Sequence, residues 1–384
     1  MRVLFLPSFY PSVQLPIFGV FFRELTLAAR FAGVDAGVAY AEVRSLRRPQ
    51  LSSLKKSYFQ VSSGVEEGIP TVRRHGWNTF AQVRVGAEIW IRQMQSLATI
   101  FATRFGSPDL VHAHNVAWAG VAAARVARTL GCRYLITEHS SAVLAGDWLR
   151  GRRAEVALTY RGAAAVVCVS RCLAAAVKDV VGGPDPLVIP NTVDTQFFTL
   201  PPEPRSDSQF VFSSIGNLTE NKGFDLVIHA FAARFAGCTD VRLEIGGDGP
   251  EWLGLVALAQ QLGVADRVRF LGPLSRGQVR EAMWRANAFV LASACETFGV
   301  VLIEALSTGL PVIATRSGGP EEIVTPQVGM LVRSRDAIEL ASAMGNLRDS
   351  TQYQAPILRS YVVDRFGHAT IGAALRRVYE ACIG

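Results

Sequence analysis

The sequence predicts two α/β domains, each built on a parallel β-sheet with helices on both faces. Short apolar runs alternate with amphipathic segments along most of the 384 residues, a pattern typical of βαβ units. Three prolines (Pro201, Pro202 and Pro204) interrupt this alternation near the middle of the chain, and it resumes at Phe210. A chain of this length is long enough for two hydrophobic cores of ordinary size.

The first half opens with a strand, a loop and an amphipathic helix over Val20–Phe31, whose apolar face includes Phe22 and Leu25. A second helix is predicted over residues 87–105, and Ser170 is predicted to cap a third. The predicted strands of this half cover residues 2–6, 37–43, 70–75, 109–114, 133–137 and 164–169.

The second half repeats the alternation more regularly. Helices are predicted over residues 222–235, 251–262 and 276–285, and another begins near Val300. Gly309 and Pro311 end that last helix. The predicted strands of this half cover residues 210–215, 242–245, 268–271, 288–292 and 311–314.

The turn between strand 288–292 and the helix at Val300 is predicted to bind a ligand. It lies at the carboxyl edge of a parallel sheet, where open α/β sheets bind ligands. Amides near Phe298 would be free donors at a helix N-terminus, which suits a diphosphate. Glu296 and Glu304 flank this anion site, and carboxylates accept hydrogen bonds from sugar hydroxyls. The stretch therefore predicts a site for a nucleotide sugar.

The same stretch carries a family resemblance. It contains Glu296-x7-Glu304, then Gly309-x-Pro311, then Gly318-Gly319-x-Glu321, and this pattern resembles the donor site of family 4 retaining glycosyltransferases. Two glutamates at this spacing also occur in many helix-rich proteins, so the glycines and proline supply most of the specificity. The resemblance covers nearly the whole chain and is densest over residues 210–325.

The resemblance implies the GT-B fold, in which two Rossmann-like doubly wound domains face a deep cleft. The N-terminal, acceptor-side domain is expected over residues 1–195, and the nucleotide-sugar donor domain over 196–362. The resemblance also implies that the last helix, about 363–384, crosses back to the N-terminal domain.

The donor site is expected to include the turn that opens the second domain. Lys222 would add a cation to amides that face the diphosphate, although a solvated lysine at a helix end would show the same pattern. Gly216 and Asn217 precede it, and the family usually has arginine where this chain has Asn217. Leu271 resembles the position at which family members read the nucleobase edge through the backbone. The segment Gly246-Gly247-x-Gly249-Pro250 is interpreted as a tight turn, because it lacks the G-x-G-x-x-G spacing of a dinucleotide site.

Three histidines follow two strands of the first half. A lone histidine is more often structural, but His112, His114 and His139 are predicted to lie at one edge of the sheet. His114 resembles a family histidine that contacts the transferred sugar, and His139 is the second candidate; His112 is left out. Gly19 stands where many members have paired glycines in the loop near the donor phosphates.

The resemblance implies a hexosyltransferase that acts with retention on a UDP- or GDP-sugar. Glu296, His114 and Lys222 are the expected catalytic residues. No metal and no cofactor are expected, because helix dipoles and Lys222 would stabilise the leaving diphosphate. The other residues expected to bind substrate are Gly19, His139, Gly216, Asn217, Leu271, Thr297, Phe298, Gly299, Val300 and Glu304.

Charge and composition bear on partners and location. Residues 1–190 carry 22 Lys and Arg against 12 Asp and Glu, a balance of +10, which fits a lipid-linked or oligosaccharide acceptor and an anionic membrane surface. The expected contacts are the basic segment 44–56 and a cluster at Arg150, Arg152 and Arg153, with Trp148 and Leu149 entering the interface.

No nucleic-acid motif and no stretch long enough to span a membrane is present, and the cysteines are expected to be reduced. We therefore expect a cytoplasmic protein, peripheral on the inner face of a bacterial membrane and released by high salt.

Two other functions remain compatible with the sequence. A nucleotide-sugar epimerase of similar shape would release free products without an acceptor. A non-catalytic sugar-binding protein with two α/β domains would bind without reaction, although the charges of Glu296 and Lys222 argue against a neutral-sugar site. The sugar, the base and the linkage are not specified by the sequence.

Overall fold

The computed structural model describes residues 1–13, 15–44, 60–77, 84–145, 153–181, 185–205 and 209–384. They divide into two compact units, Met1–Pro190 with His368–Gly384, and Asn191–Gly367. The expectation of two α/β domains built on parallel sheets is confirmed. The second unit begins at Asn191 rather than residue 196, and it keeps residues 363–367, which were expected in the final helix.

The first unit consists of one mostly parallel sheet and its flanking helices. Its strands are β1 (Arg2–Pro7), β2 (Asp35–Arg44), β3 (Val61–Glu66), β4 (Ile69–Trp77), β5 (Leu110–His114), β6 (Arg133–Glu138), β7 (Val166–Cys168) and β8 (Leu187–Val188). Its helices are α1 (Val20–Phe31), α2 (Arg84–Phe105), α3 (Val121–Leu130), α4 (Ser141–Ala145), α5 (Arg153–Arg161), α6 (Arg171–Val181) and, from the end of the chain, α14 (His368–Ile383). Residues Val116–Gly120 form an irregular turn, because Ala117 and Trp118 have non-helical backbone angles.

The strand order of this sheet is β3-β4-β2-β1-β5-β6-β7-β8. Only the β3–β4 pair is antiparallel among the described strands. The register pairs His114 at the end of β5 with Thr137 in β6. Side chains that follow these two strands therefore meet at the same carboxyl edge of the sheet.

Helix α14 completes the core of the first unit. A Cβ atom on Gly372 would lie 2.0 Å from the carbonyl oxygen of Ala28, so only glycine allows α14 to approach α1 this closely. Arg376 donates to the carbonyl of Ala32 at 3.0 Å, and the Tyr379 ring is fully buried. The approach brings a residue from the end of the chain beside the strand that carries the histidines.

The second unit repeats the architecture with a fully parallel sheet. Its strands are β9 (Phe210–Ile215), β10 (Val241–Gly246), β11 (Val268–Gly272), β12 (Ala288–Leu291), β13 (Val312–Thr315) and β14 (Gly329–Val332). Its helices are α7 (Phe224–Phe235), α8 (Trp252–Gln261), α9 (Arg276–Arg285), α10 (Val300–Ser307), α11 (Pro320–Ile323), α12 (Ala337–Arg348) and α13 (Ala355–Phe366). The strand order is β11-β10-β9-β12-β13-β14.

The central strands β9 and β12 position the donor-site candidates. They are parallel neighbours, and the buried side chains Phe212, Val290 and Ile313 form part of the core beneath them. The chain order reverses between these two strands, and in open sheets such a switch point is where ligands bind.

Three further sequence-based expectations concern membrane contacts, a membrane-spanning segment and the cysteines. The membrane contacts expected from the sequence fall on residues that the structure does not describe: Arg47, Arg48, Lys55, Lys56, Trp148, Leu149, Arg150 and Arg152. No helix in the described parts of the chain is both long and apolar enough to cross a membrane. All six cysteines are free thiols.

Candidate active site

The candidate donor site is formed by the loops that leave β9 and β12. The first loop runs from Gly216 to Gly223 and includes a 3₁₀ turn at Glu220–Lys222. The second runs from Ala292 to Gly299, directly before α10. Gly223 has φ 65°, and a Cβ atom there would lie 2.2 Å from the carbonyl oxygen of Ala292. Glycine is therefore required where the two loops touch.

Asn221 joins the two loops. Its carbonyl accepts a bond from the Ala294 amide at 2.8 Å, and its side chain accepts from the Cys295 amide at 3.1 Å. The same side chain donates to the Cys295 carbonyl at 2.9 Å. Sequence analysis missed this residue, because an asparagine in a loop gives no signal of which distant backbone it will bond.

Lys222 and Glu296 form an ion pair across the loops. The Lys222 Nζ lies 2.6 Å from Glu296 Oε2, and the Ser293 hydroxyl donates to the same oxygen at 3.4 Å. The two side chains are 28% and 14% exposed respectively, so solvent reaches the pair only in part. The structure thus brings together the two charged residues that the sequence assigned to phosphate and sugar. Because they are paired here, an anionic ligand at Lys222 would have to share the cation with Glu296.

The backbone of Glu296 is held independently of its side chain. Its amide donates to the Ser317 carbonyl at 2.9 Å, and its carbonyl accepts from the Gly319 amide at 2.8 Å. A Cβ atom on Gly319 would lie 2.3 Å from both N and Cα of Phe298. Gly319 therefore lets this segment pack directly against the turn at Phe298. This contact and the two backbone bonds hold the main chain from which the Glu296 side chain projects.

Helix α10 begins at the same turn. Gly299 has φ 95°, and neither a side-chain cap nor an acidic residue occupies the first turn of the helix. The first amides of an α-helix have no intrahelical acceptor, so they are available to an anion. Thr297 and Phe298 are buried, whereas Val300 and, one turn later, Glu304 are half-buried.

The strand-end turns beside this site interlock. Gly216 donates to the Gly246 carbonyl at 3.0 Å, and Gly247 donates to the Gly272 carbonyl at 2.8 Å. A Cβ atom on Gly247, whose φ is 136°, would lie 1.8 Å from the Gly216 oxygen. The glycines of this segment thus serve close backbone packing. Asn217 is exposed beside them, and Leu271 is half-buried in β11.

The histidines meet in the first unit, away from solvent. His114 Nδ1 lies 3.0 Å from His139 Nε2, and both side chains are buried, His114 completely. The Phe22 ring centroid lies 5.1 Å from that of His114 and 5.0 Å from that of His139. The Nε2 atom of His114 is buried and has no hydrogen-bond partner among the described residues. A sugar could contact His114 only after the surrounding side chains move.

His112 is structural. One ring nitrogen lies 2.8 Å from the Tyr379 hydroxyl, and the other lies 2.7 Å from the Thr137 hydroxyl. Burial lowers the pKa of His112 well below its usual range, and the nearby His139 acts in the same direction. The neutral ring therefore ties β5 to β6 and α14.

Glu138 shapes the loop that carries His139. It accepts bonds from the amides of Val116, His139 and Ser140 at 2.9, 3.1 and 3.0 Å. The Tyr160 hydroxyl donates to it at 2.8 Å, and burial raises the pKa of this carboxyl. Sequence analysis did not assign it, because its partners are mostly backbone amides.

Gly19 lies at the start of α1. Its φ is 78°, and a Cβ atom would lie 2.9 Å from the carbonyl carbon and oxygen of Phe9. Glycine is required here by the left-handed backbone and by this approach.

No group of three or more His, Cys, Asp or Glu side chains suited to a metal ion occurs within the described ranges.

Acid should destabilise the first unit through its histidines. Burial lowers the pKa values of His112 and His114 in the folded state, whereas the pKa of a histidine in an unfolded chain is about 6.5. Each therefore contributes stability that is complete above that pH and is lost as the pH falls, by about 1.4 kcal/mol per pH unit. Urea unfolding between about pH 7 and pH 5 measures the slope. His112→Gln should give a shallower slope, and an unchanged slope would contradict this prediction.

The chain matches two family models. Residues 197–355 match the model described as glycosyl transferases group 1, and residues 58–197 match glycosyltransferase family 4. Together these matches run from residue 58 to residue 355 without a gap. They include both loops of the donor site and the histidine-bearing strands β5 and β6.

Similar curated and solved proteins agree with this match. The phosphatidylinositol N-acetylglucosaminyltransferase gpi3 subunit of Schizosaccharomyces pombe is 32% identical over 231 residues, which are 59% of this chain and 51% of that protein. The N-acetyl-alpha-D-glucosaminyl L-malate synthase of Bacillus anthracis is 32% identical over 178 residues, 45% of this chain and 46% of that one. The chain thus spans about half the length of these relatives. The Anabaena HepE structure with UDP and glucose has a TM-score of 0.74 at 21% identity and covers 99% of this chain and 100% of that one.

Proposed function

We propose that this chain, a GT-B protein like the glycosyltransferases of family 4, transfers a hexose from a UDP- or GDP-sugar to an acceptor hydroxyl with retention of configuration. The observation that carries the proposal is the Lys222–Glu296 pair, 2.6 Å apart, beside the first turn of α10. A cation and free amides suit a diphosphate, and a carboxylate suits sugar hydroxyls.

In the proposed reaction the donor diphosphate is held by Lys222 and by the first amides of α10. The acceptor oxygen bonds to the anomeric carbon on the face that the diphosphate leaves, and the electron pair of the broken bond goes to the diphosphate. A β-phosphate oxygen takes the acceptor proton, so no protein nucleophile and no metal ion is needed. The cation and the helix terminus stabilise the charge that develops on the leaving group.

The remaining assignments follow the same division. Glu296 holds the transferred sugar, and Glu304 holds the ribose. His114, supported by His139, contacts the transferred sugar once the surrounding side chains rearrange. Asn217, Gly216 and Leu271 lie at the same sheet edge and contribute to nucleotide binding.

The acceptor is proposed to be lipid-linked or an oligosaccharide. The gpi3 relative is named for phosphatidylinositol, whereas the Bacillus relative is named for L-malate. Residues 1–190 carry a balance of +10, which would attract an anionic lipid surface. We propose peripheral attachment to the inner face of a bacterial membrane, weakened by salt.

Nucleoside diphosphate release tests the function directly. The protein is incubated with UDP- and GDP-sugars, with and without a bacterial lipid extract. Release that depends on the extract, with sugar appearing in the lipid fraction, is the expected result. Free products without an acceptor would instead indicate an epimerase, and binding without release would indicate a sugar-binding protein.

A further inference from the structure

Asn221 bonds to the main chain of the second donor-site loop through three separate groups. Its side-chain oxygen accepts from the Cys295 amide at 3.1 Å, and its side-chain nitrogen donates to the Cys295 carbonyl at 2.9 Å. Its own carbonyl accepts from the Ala294 amide at 2.8 Å. The short planar amide of asparagine offers a donor and an acceptor side by side, which lets one side chain bond both backbone polar groups of Cys295.

These bonds lie directly beside both charged residues of the site. Asn221 immediately precedes Lys222, and Cys295 immediately precedes Glu296. Lys222 belongs to a 3₁₀ turn, in which its amide donates to the Thr219 carbonyl at 2.9 Å. The spacing of the two charged side chains therefore depends on how the loops are joined one residue earlier.

Two other contacts between the loops hold this spacing less firmly. The packing of Gly223 against the Ala292 carbonyl determines how closely the loops approach, but it supplies no hydrogen bond. The ion pair of Lys222 and Glu296, 2.6 Å apart, would be disturbed by a diphosphate that takes a share of the cation. The side-chain bonds of Asn221 involve neither charged group, so they can persist while substrate is bound.

We propose that Asn221 is a positioning residue for sugar transfer, which sets the spacing of Lys222 and Glu296 and acts on the donor only through them. This role depends on the proposed function, in which Lys222 holds the diphosphate and Glu296 holds the sugar. The bond that breaks joins those two parts of the donor, so the transition state requires both residues in place at once. A free nucleoside diphosphate has no sugar for Glu296 to hold, and its binding is therefore less sensitive to the spacing.

The variant Asn221→Ala tests this role. It should fold, because Asn221 is exposed and its backbone bond to Ala294 does not need the side chain. We expect kcat for transfer from a UDP- or GDP-sugar to a bacterial lipid extract to fall about tenfold or more, since a displacement of about 1 Å can lower a rate about a hundredfold. The Kd for the nucleoside diphosphate should change by less than about threefold. Calorimetry gives this Kd and the number of binding sites, so that kcat is expressed per intact site.

A matched asparagine separates positioning from general support of the fold. The side chain of Asn287 accepts from the Val211 amide at 2.9 Å, at the opposite, amino end of β9 in the same unit. Asn287→Ala also removes a bond from an asparagine side chain to a distant backbone group. It should lower the thermal unfolding temperature but leave kcat per intact site at the parent value.

A double variant tests whether Asn221 acts through the charged pair. If it does, Asn221→Ala should lower kcat by a smaller factor in the Glu296→Ala background than in the parent. Parental kcat for Asn221→Ala would overturn the proposed role, as would independent losses in the double variant or an equal loss of kcat and diphosphate affinity. Absence of sugar transfer by the parent would overturn the proposed function, and this role with it, whereas parental transfer by Asn221→Ala would leave the function standing.

Discussion

Replacing Glu296 with alanine is expected to reduce sugar transfer by about ten- to a hundredfold or more while leaving nucleoside diphosphate binding intact. Loss of one charge-assisted hydrogen bond costs about 1.5–3 kcal/mol, which is about this factor in rate when the bond stabilises the transition state. The backbone bonds of residue 296 to Ser317 and Gly319 do not depend on the side chain. The turn should therefore persist, and Lys222 would be released to the diphosphate.

The exposed Glu281 in α9 provides the matched control. Glu281→Ala removes the same charge from the same unit and should transfer sugar at the parent rate. Initial rates and calorimetric affinities for both variants check the prediction. Parental transfer by Glu296→Ala would contradict the site, and a large loss of diphosphate affinity would show that Glu296 acts on the phosphates.

Replacing Lys222 with alanine should weaken binding of the nucleoside diphosphate by about ten- to a hundredfold. A hydrogen bond to a charged group contributes about 1.5–3 kcal/mol, and Lys222 would supply such a bond to the diphosphate. The loss should lie toward the lower value, because the lysine must first share its charge with Glu296, 2.6 Å away. Because Glu296→Ala would release Lys222 to the diphosphate, removing Lys222 from that variant should weaken diphosphate binding more than removing it from the parent does.

Two further variants serve as comparisons for Lys222→Ala: one should strengthen diphosphate binding, and the other should leave it unchanged. Asn217→Arg adds a cation in the same loop and should strengthen diphosphate binding. Lys178→Ala removes an exposed lysine of the first unit and should have no effect. Calorimetry that finds equal affinities for Lys222→Ala, Asn217→Arg and the parent would remove both residues from the phosphate site.

Sequence patterns located the central strands well. The runs formed by residues 3–6 in β1 and Ala288–Leu291 in β12 are apolar, because strands inside a parallel sheet are covered on both faces. The edge strand β3 was missed. Its side chains are exposed or half-buried, so it carries no apolar run that a pattern could detect.

Backbone details at element ends were harder to foresee. The helix expected at Lys222 begins at Phe224, because Gly223 adopts a left-handed conformation after the 3₁₀ turn. The final helix begins at His368, since Gly367 is extended and ends α13. A glycine allows such breaks without requiring them, so the sequence alone left both boundaries open.

The charged residues of the candidate site were predictable from the sequence, but the hydrogen bonds that hold its loops in place were not. Glu296 and Lys222 follow from strand ends, glycines and family resemblance. The bonds of Asn221 and Glu138 go largely to backbone groups distant in sequence, which no residue pattern reveals. The burial of His114 was also unforeseen, because the ring of Phe22 from α1 covers a position that the strand alone would leave open.

The proposed donor site is tested most directly by a calorimetric titration of the whole chain with UDP, GDP and ADP in the presence of EDTA. We expect one of these diphosphates to bind without metal, and its parent nucleoside to bind far more weakly, because Lys222 and the α10 amides act on the phosphates. Binding of no diphosphate, or equal affinity for the nucleoside, would contradict the central claim that these two loops form a nucleotide-sugar site.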